Sequence, residues 1–121
     1  MEKELSKLEL KLMNILWDKE HAFVSEIIDE LPTPKLANST ISTMMRILVT
    51  KEFVGFETFG KSNRYYPLIS KSDYTRNFMK KTKENFFAGS FKSMMSFFAS
   101  EEKLSDKEID ELIQILNDCK K

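Results

Sequence analysis

The feature that most limits this chain is a change of period. After about fifty residues whose apolar positions recur at helical spacing, two short aromatic and β-branched runs appear, "FVGFETF" and "RYYPLI", separated only by "GKSN". Such runs around a short polar, glycine-containing segment read as a β-hairpin with a basic tip. Pro67 has no amide hydrogen to give a ladder and fits only near a strand end or on an edge.

Three helices precede the hairpin. Ser6 followed by Glu9 is a capping box, with Leu5 and Leu10 as its hydrophobic staple. The first helix should therefore start at about Lys7 and run through Leu8, Leu12, Ile15 and Leu16, with Trp17 in the core. Val24, Ile27, Ile28 and Leu31 give a second, short helix that "LPTPK" terminates, because proline lacks the amide hydrogen and disfavours helix at the residue before it. A third helix opens at Asn38, a good N-cap, and buries Ile41, Met44, Met45 and Leu48. Three helices and a two-stranded hairpin in this order make a winged helix-turn-helix, so the fold expected for the chain is mainly α.

In that arrangement the last helix before the hairpin enters the major groove and the hairpin tip reaches the neighbouring backbone. Ser39, Thr40, Ser42, Thr43 and Arg46 then face the groove: small hydroxyls permit close approach and an arginine fork reaches base edges or phosphate. Lys61, Ser62 and Arg64 form the tip. Read without the hairpin, the same hydroxyls are ordinary solvent-facing residues and Arg46 pairs with an acid such as Glu52.

Charge enters here because the formal net charge is zero, which by itself argues against a polyanion partner. The charges are nevertheless segregated. Residues 1 to 30 hold Lys3, Lys7, Lys11 and Lys19 against eight acids, whereas residues 31 to 71 hold Lys35, Arg46, Lys51, Lys61, Arg64 and Lys71 against Glu52 and Glu57 alone. A face this modest would bind DNA only with help from geometry or from a second copy.

The last third reads as three more helices. Ser72 can cap a helix from Asp73, Gly89 and Ser90 interrupt it, and Ser105 with Glu108 forms a second capping box, its staple Leu104 and Ile109. Ile109, Leu112, Ile113 and Leu116 form an i, i+3, i+4, i+7 stripe, and six of the ten phenylalanines fall between Phe78 and Phe98. About fifty residues rarely support a core of their own, so a second chain is the economical partner. Phe87, Phe91, Met94, Met95, Phe98, Ile109, Leu112, Ile113 and Leu116 are the expected dimer contacts. The alternatives are packing back on the winged helix, or a groove for an apolar ligand. The expected division is a DNA-binding domain over 1–71 and a helical dimerisation domain over 72–121.

Other classes find little support. The longest apolar runs are too short to span a bilayer, and "MEKELSKLEL" lacks the apolar segment of a signal peptide, so a cytoplasmic protein without membrane insertion is expected. One cysteine, Cys119, and one histidine, His21, leave no ordinary metal-ligand set; no cofactor is called for. No phosphate loop, nucleophile pair or placed carboxylate pair points to an enzyme.

In sequence the chain resembles the penicillinase-repressor (BlaI/MecI-type) family of winged-helix transcriptional repressors. The likeness runs through "LELKLMNILWDKEHAFVSEIIDEL", "NSTISTMMRILVTKEFV", "GKSNRYYPLISKSDY" and "LSDKEIDELIQILND", and is most specific at Leu16-Trp17, at the Thr40, Thr43, Arg46 spacing and at Tyr66-Pro67-Leu68 leading to Tyr74. It implies a homodimer that binds a palindromic operator and blocks transcription, with a sensor or protease ending repression. The family's best-known members are cut between an asparagine and a phenylalanine. Aligning "KSMMSFFASEEKLS" with that region puts Phe97 at the asparagine and Phe98 at the phenylalanine, so a cut at Phe97-Phe98 would need a protease that accepts an aromatic residue; Asn85-Phe86 offers the dipeptide elsewhere. A copper-responsive branch senses metal through paired cysteines, which the solitary Cys119 cannot supply. The competing reading is a protein-interaction winged helix without a DNA function.

Overall fold

The computed structural model describes residues 4–120. In chain order the elements are α1 (Lys7–Lys19), β1 (Ala22–Phe23), α2 (Val24–Asp29), α3 (Asn38–Thr50), β2 (Val54–Phe59), β3 (Ser62–Pro67), α4 (Lys71–Phe87), α5 (Phe91–Glu101) and α6 (Asp106–Asp118). The described residues form two compact units, the first ending at Thr75 and the second beginning at Arg76.

In the first unit the apolar faces of α1, α2 and α3 meet over a small antiparallel sheet. Leu12, Met13 and Leu16 of α1, Ile27 of α2, and Ile41, Met45 and Leu48 of α3 are fully buried, closed by Ala22, Phe53, Val54 and Tyr65. The helix-period stripes thus point where the sequence puts them, with Met13 deeper than Leu8 and Ile15, and Met44 at the rim. The Ser6/Glu9 capping box forms as expected. Leu5 packs against the core, whereas Leu10 lies exposed.

The sheet has three strands, in the order β1-β3-β2, rather than two. β2 and β3 make the expected hairpin, in register from Val54↔Pro67 to Phe59↔Ser62. β1 adds Ala22↔Tyr65 and Phe23↔Arg64 on the far side of β3. The tip is narrower than "GKSN", because Ser62 and Asn63 already belong to β3. Gly60 and Lys61 alone turn the chain, with Gly60 at φ 62 in the position that a type II′ turn reserves for glycine. Pro67 ends β3. Gly55 lies under the Tyr66 ring, where an added Cβ would come within 2.8 Å of it.

Three other expectations are corrected. α3 starts at Asn38, but its N-cap is Ala37, with no side-chain cap. The hydroxyl that caps α4 is that of Ser70, accepting from the Asp73 amide at 3.0 Å, not that of Ser72. Trp17 sits at the edge of the core and not within it: its indole N–H donates to the Ile69 carbonyl at 2.9 Å, and its ring meets Tyr74. Tyr74 also packs on Phe53 and accepts a hydrogen bond from the Leu5 amide. These contacts fix the start of α4 to α1 and to the foot of the hairpin.

The second unit has almost no interior. Met94 is its one buried side chain among the described residues. Phe87 contacts Phe97 and Phe98, which also contact each other. Gly89 at φ 79 breaks α4 from α5, and the Ser105/Glu108 capping box starts α6.

Candidate nucleic-acid interface

The outward face of α3 is built by subtraction. With Ile41, Met45 and Leu48 turned inward, Ser39, Thr40, Thr43, Arg46 and Thr50 are exposed and Ser42 is half-buried. Arg46 makes no ion pair among the described residues, so the pairing with Glu52 considered from sequence does not form. Thr50 donates its hydroxyl to the Arg46 carbonyl and is thereby turned back on the helix.

The hairpin stands beside this face. Asn38, Ser42 and Arg46 from α3 and Lys61, Ser62 and Asn63 from the hairpin line one open cleft of about 330 Å³, together with Phe23, Val24, Ser25 and Tyr65. Of the residues singled out from sequence, the fold brings Ser42, Arg46, Lys61 and Ser62 to this cleft. Ser39, Thr40 and Thr43 lie on the exposed surface of the same helix outside it. Asn38, Ser25 and Asn63 were not expected to line the site. Strand alternation could have indicated Asn63, because residues two apart share a face and Asn63 goes with buried Tyr65.

The same alternation turns Arg64 the other way. It sits directly opposite Glu57, with 3.4 Å between its Nη2 and Glu57 Oε1, and its guanidinium lies 4.7 Å from the centre of the Phe59 ring. Its Nε is buried without a hydrogen-bond partner. Arg64 is therefore a side chain of β3 held against Glu57 and Phe59, not of the tip.

Two further cations of the basic block are also occupied. The ammonium of Lys35 donates to the carbonyls of Ile28, Asp29 and Leu31, satisfying the open end of α2. Lys51 donates to both carboxylate oxygens of Glu9, at 2.8 and 2.9 Å. Glu9 is only 2% exposed. Burial alone would raise its carboxyl pKa, but Lys51 and the Ser6 amide and hydroxyl together hold it below the ordinary carboxylate value. Arg46, Lys61 and Lys71 remain without an ion pair among the described residues.

A helix with a polar, acid-free outer face beside a hairpin carrying a free lysine is the arrangement with which winged helices meet a duplex. The family model described as "Penicillinase repressor" matches residues 5–118. The chain belongs to the penicillinase repressor family. Its relatives include the methicillin resistance regulatory protein MecI of Staphylococcus aureus strain N315, 35% identical with 94% of each chain covered. The penicillinase repressor of Bacillus licheniformis is 32% identical, covering 97% of this chain and 92% of its own. Among solved structures, the DNA binding domain of the repressor BlaI matches with a TM-score of 0.52 at 32% identity, over 61% of this chain and 94% of that one. The chain thus has a relative of solved structure that is described as a DNA binding domain.

Proposed function

We propose that this chain is a homodimeric, sequence-specific transcriptional repressor that places α3 in the major groove of a palindromic operator. The observation that carries the reading is the cleft between α3 and the hairpin, where Arg46 and Lys61 come from different elements and neither makes an ion pair among the described residues. Family membership supports it, as does the described role of the BlaI domain. Ser39, Thr40, Ser42, Thr43 and Arg46 face base edges in this reading, with Lys61 and Ser62 at the phosphates. Arg64 reaches backbone only by leaving Glu57 and the Phe59 ring.

Dimerisation is assigned to the second unit. Phe91, Met95, Phe98, Ile109, Leu112, Ile113 and Leu116 are all exposed in the single chain, while Phe87 is half-buried and Met94 is buried. The experiment is salt-dependent binding: full-length protein should retard DNA from upstream of its own gene, with log affinity falling steeply against log salt. The competing protein-interaction reading draws on the zero net charge and on the internal use of Lys35, Lys51 and Arg64. Duplex binding too weak to measure at low salt would favour it.

A further inference from the structure

Read around its axis at about 100° per residue, the outward face of α3 divides lengthwise. The edge toward the hairpin carries Asn38, Ser42 and Arg46, spaced i, i+4, i+8, and these line the cleft. The opposite edge carries Thr40, Thr43 and Ile47, spaced i, i+3, i+7, all exposed. Ile47 is 39% exposed, and among the described residues it is the one large apolar side chain on α3 left so open. Burying a methyl group stabilises by about 0.8 kcal/mol, and the core beneath α3 is already closed by Ile41, Met45 and Leu48. Ile47 is not among the buried side chains that form that core.

We infer that Ile47, flanked by the methyl groups of Thr40 and Thr43, is a specificity-determining residue that reads the 5-methyl group of thymine in each half-site. The inference rests on the DNA-binding reading and deepens it. Thymine presents its methyl group in the major groove, and an apolar side chain is the complementary reader. The two edges of α3 then have different work: Arg46 donates hydrogen bonds on the hairpin side, and Ile47 recognises thymine on the other. Cytosine, which lacks that methyl and presents an amino group, would lose the apolar contact and set its amino group against the Ile47 side chain, which has no acceptor.

The test uses the full-length protein and a site selected from a random duplex pool. Each thymine of the selected site is replaced in turn by deoxyuridine, which removes only the methyl group. Wild type should lose about 4-fold in affinity at one position per half-site, and about 15-fold when both half-sites are changed together. Ile47→Ala should bind the unmodified site more weakly and lose that deoxyuridine penalty. Ile47→Thr, which keeps a methyl, should retain part of it. An equal penalty in wild type and Ile47→Ala, or no thymine sensitive to methyl removal, would overturn the assignment while leaving DNA binding intact. A protein that enriches no sequence at all overturns the DNA-binding reading itself, and this inference with it.

Discussion

At the scale of single residues, the chain separates charges that hold the fold from charges that remain available. Arg46 and Lys61 belong to the second group, and their substitutions should differ in kind. Arg46→Ala should cost about 1–3 kcal/mol on the selected site and relax preference at one base pair, whereas Lys61→Ala should weaken binding to all duplexes alike and lower the salt slope by about one. Competition binding against mutated sites at several salt concentrations separates the two outcomes; an Arg46→Ala protein with wild-type affinity would remove α3 from the groove. Glu9 and Lys51 belong to the first group. Because Glu9 is held below its ordinary value, its contribution is present above the unfolded carboxyl pKa of about 4.3 and is lost as pH falls through the lower folded value. The urea midpoint should therefore hold from pH 7 to about 5 and drop below about 4, and Glu9→Gln should flatten that drop. Lys51→Met should do more harm at pH 7, on the order of 3–5 kcal/mol, because it leaves a buried carboxylate unpaired; Glu9→Gln frees a lysine that can reach solvent and should cost about 1–2 kcal/mol.

At the scale of elements, what could be read from the sequence follows from how far along the chain each interaction reaches. The stripes of α1, α2 and α3 and the boxes at Ser6/Glu9 and Ser105/Glu108 were legible because their partners are three or four residues apart. β1 was not: two residues carry no period, and Ala22–Phe23 becomes a strand only because β3, some forty positions later, offers an edge. The internal use of Lys51 by Glu9 was hidden for the same reason, since the partners are separated by most of the winged helix. Arg64 was misplaced at the tip although period-2 alternation and the hairpin register were enough to set it against Glu57. The proposed cut at Phe97-Phe98 also belongs to this scale. Both residues lie inside α5 and are about half exposed, yet a protease binds an extended chain, so the helix must open locally first. Opening should be easy, since Met94 is the only α5 side chain that is buried. If cleavage is the switch, sequencing the fragments from induced cells should find ends at Phe97 and Phe98. A cut outside Met94 to Ala99, or intact protein released from DNA, would rule it out.

At the scale of the whole molecule, weak electrostatics and an open second unit lead to the same requirement. With Lys35, Lys51 and Arg64 engaged internally, one copy offers few free cations to the phosphates, and each phosphate contact contributes its own share of the salt-dependent affinity. One copy should thus bind DNA poorly. The second unit meanwhile leaves Ile109, Leu112, Ile113 and Leu116 of α6 between 42 and 58% exposed along one helical stripe, an apolar face of the kind that marks an interaction surface. A closed pair joined through these side chains answers both conditions, because its two α3 helices engage a duplex together and the second contact becomes intramolecular. Such tethering raises overall affinity by about 10²–10⁴ without any new contact to DNA. Light scattering at micromolar concentration should accordingly give twice the mass of the chain, and the selected site should contain two half-sites about one or two helical turns apart, on the same face of the duplex. Leu112→Asp should yield a folded monomer whose affinity for the full site falls by that same 10²–10⁴, while its affinity for an isolated half-site stays near that of wild type. Equal losses on half-site and full site would mean that the substitution damages the winged helix instead, and a wild-type chain that remains monomeric would leave the apolar face of α6 without the partner proposed for it.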